Sequence, residues 1–211
     1  PLPVFELDQI WGSAARFAVK VAADPAYVSP EVYAQLTSLR PDDFTDVGQA
    51  ATLATEYADR LRYSPATDWL VYNGSFWEES APAAQGIAQE LTDRQLEEAD
   101  TLMEQVRVKL ENAGITALMA LGTTRAKLLG MLSPAQLVLW REYEDAEGYR
   151  KYALKRRESR CITASLKEAR PMMQTTPTEL DANPHLLNTP TATYDLRERA
   201  AIARPHESAD L

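Results

Sequence analysis

The chain has 211 residues, with 22 Lys and Arg against 31 Asp and Glu and a formal net charge of −9. Its hydrophobic (45%) and charged (25%) fractions are ordinary for a soluble domain, and the length suffices to bury a core. The acidic balance excludes a protein that coats a nucleic-acid backbone with its whole surface, but leaves room for a local basic patch.

Residues 1–43 read as a helical lead-in. Val4, Leu7, Ile10, Trp11, Ala14, Ala15 and Ala18 follow a three-four spacing, and Pro25, Pro30 and Pro41 then break the chain into pieces. Residues 44–211 form the main domain. Its first helix starts at Thr45 as N-cap, carries Val47, Ala50, Ala54, Tyr57 and Leu61 on one stripe, and is expected to end near Arg62. The segment 69–77 has aromatic and branched residues on both sides of Asn73-Gly74. It predicts a hairpin with a two-residue turn, because Asn and Gly tolerate positive φ best. A lone hairpin is only marginally stable, so a third strand or a helix must cover it.

Over 83–112 a long helix is predicted. Ile87, Ala88, Leu91, Ala99, Leu102, Met103, Val106 and Leu110 line its inner side, Gly114 is the stop, and the outer face is acidic. Short helices broken near Gly122 and Gly130 fill 115–132. Ser133-Pro134 then caps a helix with Leu137, Trp140 and Tyr143 inward, which Gly148 is expected to interrupt. After Pro171, residues 186–188, 191–196 and 200–203 read as short strands that pair with the 69–77 hairpin. The expected class is α+β, predominantly helical, with one small antiparallel sheet made from the hairpin and the C-terminal strands.

Catalytic patterns are missing from the sequence. No glycine precedes a lysine, which removes the Gly-x-x-x-x-Gly-Lys phosphate loop, and there is no Asp-x-Asp pair. His185, His206 and Cys161 are too few for a zinc site of His and Cys alone; both histidines read as turn or surface residues and Cys161 as packing. A single cysteine, no apolar run near the roughly 18 residues of a membrane span, and no basic leader together suggest a cytoplasmic chain with no membrane contact. The segment itself is expected to be no enzyme and to hold no metal or cofactor.

One stretch, 149–160, reverses the overall charge, with Arg150, Lys151, Lys155, Arg156, Arg157 and Arg160 against Glu158 alone. Tyr149 and Tyr152 interleave, a mix that suits phosphate contact with base stacking. At 100° per residue Lys151 and Lys155 lie about 40° apart while Arg156, Arg157 and Arg160 fall elsewhere, so no single stripe forms. Three uses fit this stretch: a solvated helix paired with the acidic helix, a DNA contact through these six cations, or a subunit contact.

Several motifs together resemble a known family. These are Arg60-Leu61-Arg62-Tyr63, then Asp68-Trp69-Leu70-Val71-Tyr72-Asn73-Gly74-Ser75-Phe76-Trp77, and Ser159 within Lys155-Arg156-Arg157-Glu158-Ser159-Arg160. Leu180-Asp181-Ala182-Asn183-Pro184-His185-Leu186-Leu187-Asn188, Tyr194-Asp195-Leu196-Arg197 and Arg204-Pro205-His206 follow. Their order and spacing resemble the helical domain preceding the superfamily 3 helicase in phage and plasmid primase-helicases, to which a domain of the poxvirus primase-helicase is related. Trp69, Asn73, Gly74, Trp77, Asp181, Leu187, Asp195, Leu196 and Arg197 are its structural signature here. Thr191-Ala192 and Glu198-Arg199 depart from it where the family carries Asn-Gly and Gly. The resemblance implies a parent that unwinds DNA as an ATP-driven ring, sometimes fused to a primase, with its motor, ATP and Mg after Leu211. This segment would be a non-catalytic accessory module for DNA engagement, ring assembly or coupling. Its partners would be single-stranded or forked DNA, copies of itself in the ring and replication proteins. A protein-interaction scaffold without nucleic-acid binding is the alternative.

Overall fold

The computed structural model describes residues 38–176, 178–180, 183–197 and 202–209. Contacts divide the chain into Pro1–Ser38 and Leu39–Leu211. The lead-in helices expected over residues 1–37 lie outside the described residues.

Helix α1 (Asp46–Glu56) begins where the sequence signals it: the Thr45 hydroxyl accepts from the Gly48 N–H at 3.1 Å, and Asp46 sits in the first turn. It stops at Tyr57, five residues before the expected end near Arg62. Leu61 fits the helical stripe and also the inward face of a strand, and the structure uses it in strand β1 (Leu61–Ser64). β1 pairs antiparallel with β2 (Asp68–Tyr72), placing Leu61 opposite Val71 and Tyr63 opposite Trp69. β2 pairs in turn with β3 (Trp77–Glu79). The third strand that the hairpin requires therefore comes from the segment just upstream, where loop closure costs least.

The hairpin turn is longer than the two residues expected. Tyr72 faces Trp77, so residues 73–76 form the loop, and Asn73 takes negative φ while Gly74 has φ 97°. The Asn73 carboxamide oxygen accepts from the Ser75 and Phe76 N–H groups at 3.0 and 3.1 Å. Asparagine thus acts through its side chain and glycine through its backbone freedom.

Helix α2 (Ala81–Asn112) is capped by Ser80 and stopped by Gly114 at φ 71°. The short helices α3 (Ile115–Met119) and α4 (Arg125–Met131) are separated at Gly122, while Gly130 lies inside α4. Helix α5 (Pro134–Arg156) opens with a reciprocal capping box between Ser133 and Gln136. It runs unbroken through Gly148. A mid-helix glycine costs about 1 kcal/mol, which the burial of Ala146, Tyr149, Tyr152 and Ala153 around it outweighs. Helix α6 (Ser159–Ala169) follows after a sharp corner.

The core has three parts. Leu53, Tyr57, Leu61, Trp69, Ile87, Leu91, Ile162 and Met173 join α1, the first sheet, α2 and α6. Val106, Leu110, Ile115, Leu128 and Trp140 join the far end of α2 to α3, α4 and α5. Between them Ala99 of α2 meets Tyr149, Tyr152 and Ala153 of α5.

The C-terminal strands do not complete the first sheet. β4 (Leu186–Asn188), β5 (Thr193–Asp195) and β6 (Ile202–Arg204) pair among themselves as a second three-stranded antiparallel sheet. The architecture is mostly helical, with six helices and two small sheets among the described residues, rather than one sheet. Three-residue strands linked by short connections close onto one another at lower entropic cost than onto a hairpin over a hundred residues away. The link to the hairpin is made by side chains: the Trp77 indole N–H donates to the Ser208 carbonyl at 3.1 Å, and the Asn188 amide donates to the Ser75 carbonyl at 2.6 Å. A preceding piece of the tail does meet the first sheet, where Tyr63 N–H donates to Met173 O and Thr175 N–H to Tyr63 O.

Candidate functional site

The basic stretch occupies the last two turns of α5 and the first turn of α6, and its two tyrosines set its geometry. Tyr149 is fully buried and donates its hydroxyl to Glu98 Oε2 at 3.0 Å, an oxygen that also accepts from the Leu39 N–H at 2.9 Å. Tyr152 donates to Gln49 Oε1 at 2.8 Å and stacks on Phe44 with ring centroids 4.4 Å apart. Gln49 in turn donates to Gln95 Oε1, and Gln95 donates to the Leu39 carbonyl, both at 2.8 Å. Burial pushes the Tyr152 hydroxyl up to about 12 and Tyr149 higher still. Both rings are committed to the core, so neither offers a face for base stacking.

With the tyrosines inward, most of the six cations reach carboxylates of the chain. Arg150 pairs with Asp100 and Arg157 with Asp93, both on α2, while Lys151 meets Glu147 one turn back at 3.0 Å. Arg160 pairs with Glu158 at 2.6 Å. Arg156 differs from the rest. Its side chain is 8% exposed, it pairs with Asp46 of α1, and its guanidinium lies 4.7 Å from the centroid of the Tyr152 ring. Lys155 is exposed and makes no ion pair among the described residues. Exposed pairs of this kind are worth about 0–1 kcal/mol and exchange partners readily, so Arg150, Lys151, Arg157 and Arg160 can trade a carboxylate for another anion.

The structural signature residues fall into two groups. Trp69 is buried beside Tyr63, Asn73 and Gly74 build the turn, and Trp77 tethers the tail. Leu187 and Leu196 are exposed, and the Leu196 N–H donates to the His185 carbonyl at 2.8 Å. Asp195 accepts from the Arg197 guanidinium and backbone, which hold its carboxyl well below the usual range. Asp181 and the Glu198-Arg199 turn lie outside the described residues.

Arg150–Asp100 and Arg157–Asp93 join the basic stretch to the acidic helix, one of the three uses its sequence suggests. The acceptor that sequence reasoning misses is Asp46, which comes from α1 and stands 110 residues from Arg156. His206 lies in the loop after β6, in line with a turn histidine, and its Nδ1 stands 3.0 Å from the hydroxyl of Thr193 in β5, a contact that sequence reasoning misses. Cys161 is buried, as packing requires. No group of three or more His, Cys, Asp or Glu able to hold a metal occurs among the described residues, and no helix there is long and apolar enough to cross a membrane.

A family model described as "D5 N terminal like" matches residues 50–211, which include both sheets, the acidic helix and the basic corner. No curated protein and no solved structure matches the chain.

Proposed function

The chain belongs to the D5 N-terminal-like family, the N-terminal domain of poxvirus D5-type primase-helicases, and from that premise we propose that it is a non-catalytic module serving an ATP-driven replicative helicase. Of the services such a module can render (DNA engagement, ring assembly, coupling to the motor), DNA engagement has the best geometric support. ATP and Mg belong to the motor in this reading, and copies of the chain stand side by side in the ring.

The observation that carries the reading is the α5–α6 corner. Lys155 and Arg160 stand exposed there, with Arg157 beside them, on a chain whose total charge is −9. The interaction is expected to be electrostatic, with the phosphate backbone as ligand, because both tyrosines of the stretch are buried.

The test is the affinity of the chain for forked and single-stranded DNA, followed by fluorescence anisotropy across a salt series. Changing Lys155, Arg157 and Arg160 to Glu should lower affinity at least about tenfold and flatten the salt slope by about 1 for each phosphate no longer neutralised. Arg156 is left intact because it is buried. One observation favours a second reading: Arg150 and Arg157 are already compensated by α2 carboxylates. Binding that ignores salt, or no binding, would favour the scaffold.

A further inference from the structure

A cleft of about 310 Å³ opens between the end of α5 and the start of α6. It is lined by Lys155, Arg156, Arg160, Cys161 and Ala164, and by Asp46 from α1. Three cations stand there against two carboxylates, Asp46 paired with Arg156 and Glu158 paired with Arg160, which leaves the charge of Lys155 in excess. The local charge is therefore positive inside an acidic protein.

Each lining cation is in a different state. Arg156 is held rigidly by Asp46 and by the Tyr152 ring, and its buried Nε has no hydrogen-bond acceptor. It acts as a fixed charge at the back of the cleft. Lys155, at the rim, has no ion pair among the described residues. Arg160 is engaged with Glu158, but both partners are largely exposed, at 74% and 48%, so the exchange of that carboxylate for another anion costs little. The first turn of α6 runs along the same cleft, and no side chain caps its N–H groups. An uncapped helix start adds partial positive charge to a cleft that Lys155, Arg156 and Arg160 line.

We infer that this cleft is a phosphate subsite for one backbone phosphate of single-stranded DNA, gripped by Lys155 and Arg160 and backed by Arg156. The inference rests on the DNA-engagement reading and gives that reading a point of contact. It also separates the six cations by role. Lys155 and Arg160 contact the phosphate, Arg156 positions the charge, and Arg150, Lys151 and Arg157 supply only a general field.

The test compares two double variants of the whole 211-residue chain, Lys155→Ala with Arg160→Ala and Arg150→Ala with Lys151→Ala. All four side chains are exposed, so both variants should fold, which thermal melting checks. The ligands are a short single-stranded oligonucleotide, inorganic phosphate and ATP, each followed by amide chemical shifts and by anisotropy. The cleft variant should lose about tenfold or more in oligonucleotide affinity, as expected for charged hydrogen bonds removed, whereas the other variant changes it less than about threefold. Phosphate should shift amides of residues 155–164 in the unaltered chain and not in the cleft variant. Equal losses in the two variants would overturn the subsite and leave DNA engagement standing. So would a neutral cleft variant in a chain that still binds DNA. ATP that outcompetes the oligonucleotide at these amides would make the occupant a free nucleotide and overturn the inference. No oligonucleotide binding by the unaltered chain would remove both readings together.

Discussion

β1–β2–β3 and β4–β5–β6 have the same strand order, the same antiparallel pairing and strands of three to five residues. In the first sheet Leu61, Ser64, Trp69 and Leu70 are buried, and β2 packs on α2. In the second, Thr193 is fully buried, while Leu187 is half exposed. Polar groups hold that sheet together: the Thr193 hydroxyl bridges Asn188 and His206, the Thr189 hydroxyl donates to Ala192 O, and Arg197 clamps Asp195. Pairing pattern alone therefore says little about stability. A small sheet needs a cover, and in the second sheet side-chain hydrogen bonds are the ties seen among the described residues.

The largest break in this contrast should come from Trp69→Ala. It empties a site shared by α2, α6 and the first sheet and should cost about 3–5 kcal/mol of unfolding free energy, measured by urea denaturation. The loss should be global, because one core cluster joins these elements.

Thr193→Val keeps the shape and removes the bridging hydroxyl, leaving the Asn188 and His206 groups without it, at a cost of about 1–3 kcal/mol. Amide exchange should speed up over 186–204 while the protection of α2 holds. If α2 loosened equally, the two sheets would form one cooperative unit and the contrast would fail.

Asp195→Asn should have the smallest effect and the most specific one. Its carboxyl is depressed by the Arg197 guanidinium first and the Arg197 backbone second. A depressed carboxyl contributes stability that is present above the ordinary carboxylate range and lost as pH falls through the lowered value. Exchange over β5 should therefore rise in strong acid in the unaltered chain, and the Asn variant should show no such rise when followed by pH-resolved amide exchange.

Most of what is legible in the sequence is local. Ser133-Pro134, Thr45 and Gly114 mark helix ends because capping is settled within four residues, whereas the Ser80 cap puts the start of α2 at Ala81, two residues before the expected 83. The apolar stripe of α2 is legible too, since its period is fixed by helix geometry. Leu61 departs from the helical expectation because its position satisfies both a helical and a strand pattern, and the strand wins once Val71 and Trp69 offer a ladder. Gly148 fails to break α5 because propensity is a weak preference that burial on both sides overrides. Of the candidate site, the cations are visible as a run. The inward turn of Tyr149 and Tyr152, and the Asp46 carboxylate that reaches Arg156 from α1, are not.

The helical class, the helix starts at Thr45 and Ser133-Pro134, the place of the turn at Asn73-Gly74 and the sign of the charge at residues 149–160 follow from the amino-acid order alone. All of these depend on neighbours a few residues away. The assembled fold settles the rest: the strands form two sheets, the tyrosines join the core, and Lys155 and Arg160 face a cleft while Arg156 is locked behind them. Those outcomes depend on which surfaces bury one another and which carboxylates arrive from distant helices. Such pairings are set by packing and loop-closure entropy across the whole chain, and no local pattern encodes them.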